Sequence, residues 1–156
     1  MSDTSIFTSM DKPTFLQKDH IVEFLYQHLD QYGDPKEYIQ GAVDYSLSDH
    51  PGEGGFLLVE YGEADRVLGA VVINKTGMSG YIPENILVYI SVHEDARGTG
   101  LGKKLIHKAQ EMAKGDIALH VEPENPARHL YEKTGFSNKY LEYRWEKEQG
   151  DPKHTG

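Results

Sequence analysis

The chain has 156 residues, a length that predicts one domain with a sizeable core. It contains no cysteine, which excludes a disulfide, a thiolate metal site and a cysteine nucleophile. A formal net charge of −9 argues against a nucleic-acid partner, and the eight histidines lack the local spacing of metal ligands. No apolar run approaches the length of a membrane span, about 18 residues, and no signal-peptide pattern opens the chain, so we expect a cytoplasmic protein without a membrane partner.

The first third of the chain predicts a short strand followed by two helices. The strand lies near Ser5–Ser9, and apolar residues at helical spacing predict a helix over Gln17–Gln31 that Gly33 ends. The second helix begins with a variant of the capping box, in which the N-cap, N1 and N3 positions are Asp34, Pro35 and Glu37. Its inward stripe consists of Tyr38, Ile39, Ala42 and Val43.

The middle of the chain predicts three strands. Phe56–Tyr61 and Val67–Asn74 flank a polar turn, as in a hairpin. Asn85–Val92 is apolar at successive positions, so we expect a central strand covered on both faces.

A glycine-rich segment, Arg97–Gly102, joins this central strand to a helix predicted over residues 101–114. Its glycines let backbone N–H groups point into a concavity, and the helix adds the positive end of its dipole, so the segment is typical of a phosphate-binding turn. The spacing fits neither a Walker loop nor the dinucleotide fingerprint. It does fit the pattern [RQ]-x-x-G-x-[GA].

The last third predicts a strand over Ile117–Val121, a helix over residues 127–134 and a half-buried strand over Asn138–Glu146, whose apolar side chains alternate. Residues 124–136 read ENPARHLYEKTGF, a form of the pattern N-P-A-x-x-L-Y-x-x-x-G-F. The two signatures, in this order, resemble the GNAT N-acetyltransferases over residues 86–145, whereas residues 1–85 match in element order only.

The resemblance implies an α/β (α+β) fold of the GNAT type. Its mixed central sheet would have six to seven strands with a splay between strands 4 and 5, and about four helices would pack on both faces. We expect a single domain over residues 1–147, with a flexible tail over residues 148–156. The protein would be a monomer or a homodimer.

Acetyl-CoA, used as a co-substrate without a metal, is the cofactor that the resemblance implies. The splayed strand would bond the pantetheine arm and the acetyl oxygen through its main chain, and the turn would bind pyrophosphate. The contacts come from Ile90, Ser91, Val92, Arg97, Gly98, Thr99, Gly100, Leu101, Gly102, Lys103, Asn125, Arg128 and Tyr131. Asn125 departs from one common form of the motif, because it lies six residues before Tyr131 instead of seven.

Two catalytic residues are implied in the same way. Tyr131 would protonate the departing thiolate, although a tyrosine on a helix also serves simply to pack. Glu84, thirteen residues before Arg97, would be the general base, with a pKa raised by partial burial, although it also fits a solvated loop charge. Glu60 and a chain of waters are the alternatives for the base.

The implied activity is transfer of an acetyl group from acetyl-CoA to a primary amine of a small molecule or protein, directly within a ternary complex. The alternative is a module that binds acetyl-CoA without turnover, as a sensor or interaction partner. The acceptor pocket would come from the first two helices and the loop before the central strand, which carry no assignable motif.

Overall fold

The computed structural model describes residues 3–148, which form a mixed sheet with helices on both faces. Its five strands follow one another in space in chain order: β1 Asp3–Phe7, β2 Gly55–Tyr61, β3 Val67–Lys75, β4 Asn85–Val92 and β5 Ile117–Leu119. All neighbours are antiparallel except β4 and β5. The helices are α1 Phe15–His28, α2 Lys36–Ser46, α3 Leu101–Met112 and α4 Ala127–Lys133, with short 3-10 turns at Asp30–Tyr32, Glu63–Asp65 and Glu94–Ala96.

Helix α1 begins two residues earlier than expected because a capping box fixes its start. The Gln17 backbone N–H donates to Thr14 Oγ1 at 3.1 Å, and the Thr14 N–H donates to Gln17 Oε1 at 2.8 Å. Each side chain therefore satisfies a backbone donor that the first turn leaves free.

The predicted start of α2 is wrong in detail. Pro35, not Asp34, is the N-cap, and it makes no side-chain bond to the helix. The Asp34 carboxylate instead accepts a hydrogen bond from the Tyr89 hydroxyl of β4. The inward stripe is also narrower than expected, because Tyr38 is 63% exposed.

Two apolar clusters form the core, one on each face of the sheet. Helices α1 and α2 cover the first face with Ile21, Val22, Phe24, Leu25, Ile39 and Val43, which pack on Leu57, Val59, Ala70, Val72 and Tyr89. Helix α3 covers the second face with Leu101, Leu105 and Ala109, which pack on Phe56, Leu58, Val71, Ile73 and Leu87. The alternation of strand side chains thus divides the sheet between the helices, and β4 has its two faces covered, as predicted.

The strand predicted over Asn138–Glu146 is not formed, so the described part of the chain has five strands and not six or seven. Its large apolar side chains lie in water: Tyr140, Leu141, Tyr143 and Trp145 are 74–91% exposed. A period-two pattern shows which side chains would share a face, but a strand also needs a partner for its backbone groups. The edge strand β5 has three residues and offers few backbone groups to pair with.

No helix within residues 3–148 is long and apolar enough to cross a membrane. The tail expected over residues 148–156 lies outside the described residues except for its first residue, and the domain boundary stays a prediction.

Candidate functional site

The sheet opens at the carboxyl end of β4. Strand β5 pairs in parallel with Asn85–Leu87 alone, so among the described residues no strand pairs with Val88–Val92 on that side. The pairing of the fourth and fifth strands thus ends at Leu87, as the predicted splay requires, and β5 itself ends at Leu119. The main-chain groups that β4 turns toward this unpaired side can bond an extended ligand.

The open half of β4 begins with an irregularity. Val72 of β3 pairs with Tyr89, whereas the next residue, Ile73, pairs with Leu87, so Val88 is an extra residue without a partner in β3. Such a bulge bends the strand and turns its next backbone groups. No sequence pattern predicts this bulge, because a bulge depends on how β4 is aligned with the neighbouring strand β3.

The glycine-rich turn has the conformation that a phosphate cradle needs. Gly98 and Gly100 have φ values of 79° and 85°, which residues with a Cβ rarely adopt. A Cβ added at either position would meet no atom within 4 Å, so the space over the turn is open. Gly100 is also the N-cap of α3, and no side chain caps this helix. The first N–H groups of α3, those of Leu101, Gly102 and Lys103, therefore lack partners within the helix and suit an anion.

Arg97 stands at the entrance of this turn. Its Nε atom donates to the Val92 carbonyl at 3.3 Å, and its Nη2 atom lies 3.9 Å from Asp30 Oδ2. The side chain is 55% exposed, so its guanidinium is held toward the end of β4 and still reaches solvent. Thr99 stiffens the turn by donating to the Ala96 carbonyl.

Helix α4 lies beside α3. A Cβ on Gly102 would come within 3.0 Å of Leu130 Cδ2, so this third glycine allows the helices to approach rather than opening the cradle. Gln110 Nε2 donates to the Thr134 carbonyl at 2.8 Å further along. The N-P-A-x-x-L-Y motif thereby comes next to the turn.

The two polar residues of that motif are used within the chain. Asn125 Oδ1 accepts from the Ala127 N–H at 2.9 Å and so caps the start of α4. Arg128 Nη1 donates to the Pro123 carbonyl at 2.8 Å. Their contacts with a cofactor stay predictions.

Tyr131 is a buried phenol with a free hydroxyl. Tyr131 is 9% exposed, and its ring meets that of Phe136 edge-on with centroids 5.9 Å apart. The hydroxyl bonds to no other residue within 3–148, in contrast to the backbone bond expected of a packing tyrosine. Burial raises the pKa of Tyr131 to about 12, so the group holds its proton at neutral pH.

Glu84 lies at the other end of β4, about 25 Å of strand from the turn that follows it. Its Oε1 atom accepts from the Asp116 N–H at 2.9 Å, and this bond lowers the pKa of Glu84, so the raised pKa expected from sequence is wrong. A shallow cavity of about 290 Å³ lies beside Glu84, between Lys75 and Lys114, away from the splay. The role of Glu84 as a base stays a prediction.

Glu60, the alternative base, is fully buried on the face of the sheet that α3 covers. Its carboxylate accepts from the Thr4 hydroxyl and forms an ion pair of 2.9 Å with Lys104 Nζ. A buried carboxylate held in this way ties the first turns of α3 to the sheet.

Two histidines to which the sequence assigned no role lie on the face of β4 that α1 covers. The ring of His28, at the end of α1, meets the ring of His93, which follows β4, in a tilted contact with centroids 4.6 Å apart. Ser91 Oγ donates to the His28 carbonyl at 2.8 Å. The end of α1 is thus bonded to the open half of β4. No group of three or more His, Asp or Glu side chains among residues 3–148 is placed to hold a metal ion.

Comparisons with known proteins agree with this geometry. The sequence profile of the acetyltransferase (GNAT) family matches residues 16–136. No curated protein matches the chain. Among solved structures, the ribosomal-protein-alanine N-acetyltransferase of Brucella melitensis biovar Abortus 2308 is 20% identical, with a TM-score of 0.60 over 94% of this chain and 99% of that one.

Two aminoglycoside-modifying enzymes are similar to the same extent. The aminoglycoside N-acetyltransferase AAC(6')-Iy, in complex with CoA, has a TM-score of 0.67 at 16% identity and covers 94% of this chain and 96% of its own. The aminoglycoside acetyltransferase meta-AAC0020, from an uncultured soil metagenomic sample and in complex with sisomicin, has a TM-score of 0.60 at 15% identity, with coverages of 94% and 97%. At these identities the likeness is one of fold.

Proposed function

The chain belongs to the acetyltransferase (GNAT) family, and on this basis we propose that it transfers the acetyl group of acetyl-CoA to a primary amine, directly within a ternary complex. The observation that carries the proposal is the continuity of the open half of β4 with an uncapped, glycine-rich helix start. An extended ligand that ends in a pyrophosphate suits both parts at once.

The residues present fit acetyl-CoA. The positive-φ glycines leave open space over the N–H groups of the turn, and Arg97 adds a charge that does not titrate. We assign the pyrophosphate to Arg97, Gly98, Thr99, Gly100, Leu101, Gly102 and Lys103, and the pantetheine arm to the main chain of Ile90, Ser91 and Val92. Acetyl-CoA supplies the activated acetyl thioester.

Tyr131 is the proton donor of the proposed reaction. It keeps its proton at neutral pH, and its hydroxyl has no competing partner among the described residues, so it is ready to donate to a developing thiolate. An N–H of the splayed strand would bond the acetyl oxygen as negative charge develops there.

The proposed acceptor is a primary amine of a small molecule or of a protein. Neighbours named for ribosomal-protein alanine and for aminoglycosides represent a protein acceptor and a small-molecule acceptor. The net charge of −9 is compatible with a cationic ligand of either kind.

Calorimetry and a thiol-release screen test this function together. Acetyl-CoA should bind with micromolar affinity, and Arg97→Ala should weaken binding by about 1.5–3 kcal/mol, the range for a charge-assisted hydrogen bond. Arg144→Ala is the matched control, because within residues 3–148 Arg144 pairs only with Glu142, on the exposed segment after α4. An unchanged affinity for the Arg97 variant would remove the phosphate assignment.

The screen compares polyamines, amino acids, aminoglycosides and peptide N-termini. Thiol release that depends on one of these amines supports the enzyme. Tight acetyl-CoA binding without turnover on any of them favours the alternative, a binding module without catalysis.

A further inference from the structure

The ring of His28 belongs to a cluster of three rings beside the open half of β4. It stacks on Phe24 with centroids 4.5 Å apart and lies tilted against His93 at 4.6 Å, so the three rings form a triangular cluster. The His28 carbonyl is bonded to Ser91, one of the residues assigned to the pantetheine arm and acetyl group. The imidazole is therefore fixed on the face of β4 that carries α1, next to the splay.

Backbone hydrogen-bond partners set the tautomers of both histidine rings, His28 and His93. His28 Nδ1 lies 2.9 Å from the Phe24 carbonyl, which only accepts, so Nδ1 carries the proton and Nε2 has the lone pair. His93 Nδ1 accepts from the Asp95 N–H at 3.0 Å, so the proton of the neutral His93 ring lies on Nε2. Only His28 has its Nε2 atom free to accept a proton.

This Nε2 atom is also accessible. It bonds to no other residue within 3–148, and the single buried side-chain nitrogen or oxygen without a partner in that range is the hydroxyl of Tyr61. An atom that is neither bonded nor buried faces solvent, and the acceptor amine or a water bound to it can reach this atom.

We propose that His28 is the general base that prepares the acceptor amine, a role that rests on the proposed function. The Nε2 lone pair takes one proton from the ammonium group, and the neutral amine then attacks the thioester carbon. As the C–S bond breaks, its electron pair leaves on sulfur, which Tyr131 protonates. The resulting tyrosinate recovers a proton from the acetylated nitrogen, and the imidazolium returns its own to water.

The charged groups around the pair lie on the segments that follow α1 and β4. His93 meets the His28 ring from the end of β4, and Asp95 Oδ2 lies 3.8 Å from His93 Nδ1. Asp30, two residues after His28, faces Arg97, and Asp34 is bonded to Tyr89.

Nitrogen-15 NMR of the imidazole rings tests the tautomer without any turnover. His28 should show a protonated Nδ1 and an unprotonated Nε2, and neutral His93 should show the reverse. Detection of the Nε2–H tautomer for His28 would overturn the proposal, because the lone pair would then face the Phe24 carbonyl.

Two amines of similar size and different basicity test the chemistry. Propylamine is protonated at neutral pH, whereas 2,2,2-trifluoroethylamine is largely neutral and needs no base before attack. His28→Asn keeps a donor for the Phe24 carbonyl and loses the base. Its kcat/KM should fall by about 100-fold or more with propylamine and by less than about 10-fold with the fluorinated amine.

His20→Asn is the matched control, because His20 is exposed on the same helix. It should leave both rates unchanged. Equal losses with the two amines in the His28 variant would mean a structural role and would overturn the proposal. If the wild type binds acetyl-CoA but acetylates neither these amines nor the screened ones, the proposed function fails and this role fails with it.

Discussion

Replacing Tyr131 by phenylalanine separates catalysis from packing. The substitution removes one oxygen that bonds to no described residue and keeps the ring against Phe136. We therefore expect the free energy of unfolding to change by less than about 1 kcal/mol, the typical net value of one hydrogen bond. The affinity for acetyl-CoA should also stay close to that of the wild type.

The rate should respond very differently. General acid catalysis is worth about 100-fold to 10,000-fold, so kcat should fall by that factor, which corresponds to about 2.7–5.4 kcal/mol in the barrier. Because burial raises the pKa of Tyr131 to about 12, the wild-type group stays protonated through ordinary assay conditions. The ratio of wild-type to variant kcat should therefore be constant from about pH 7 to about pH 10.

Steady-state thiol release with a saturating amine, followed across this pH range, measures both quantities. Tyr140→Phe is the control, because Tyr140 is 80% exposed on the segment after α4. A Tyr131 variant with wild-type kcat, in an assay where solvent viscosity has no effect on the rate, would show that this side chain only packs.

Three further predictions concern stability and are measured by chemical or thermal unfolding. Gly100→Ala should destabilise the fold by about 1–2 kcal/mol, because the φ of Gly100, 85°, is left-handed. Gly41→Ala, at a position in α2 with no atom near the added Cβ, should stabilise the fold by about 0.4–1 kcal/mol. Equal effects of the two substitutions would contradict this conformational argument. Thr14→Ala removes the capping box of α1 and should cost about 1 kcal/mol, and a neutral result would mean that water replaces the cap. The raised pKa of Tyr131 stabilises the fold fully below the ordinary tyrosine value of about 10, and this stabilisation should be lost as pH rises from there to about 12; a Tyr131→Phe variant with the same alkaline loss would assign it to other groups.

Local patterns account for the parts of the site that were predicted correctly. The strand Asn85–Val92, the turn at Arg97–Gly102 and the helix after it follow one another in the sequence, and each needs only its own residues to be recognised. The residue types required by a positive φ or by a helix start are visible in one short segment.

Long-range partners account for the errors. Asp34 is a good N-cap by sequence, but the hydroxyl of Tyr89, 55 residues away, engages it. The sequence predicts a raised pKa for Glu84, but its carboxylate accepts a hydrogen bond from the N–H of Asp116, 32 residues away, which lowers the pKa. His28 gave no local signal at all, because its neighbour on β4 lies 63 residues further along the chain.

Trp145 is the single tryptophan of the sequence, and its side chain is 74% exposed. Its fluorescence therefore reports on the segment after α4 and not on either core cluster. Unfolding takes this indole from water to water, so its emission should hardly shift while circular dichroism records the loss of the helices. Conversely, a blue shift of that emission in the folded protein would be a specific optical signal that something has covered residues 138–146.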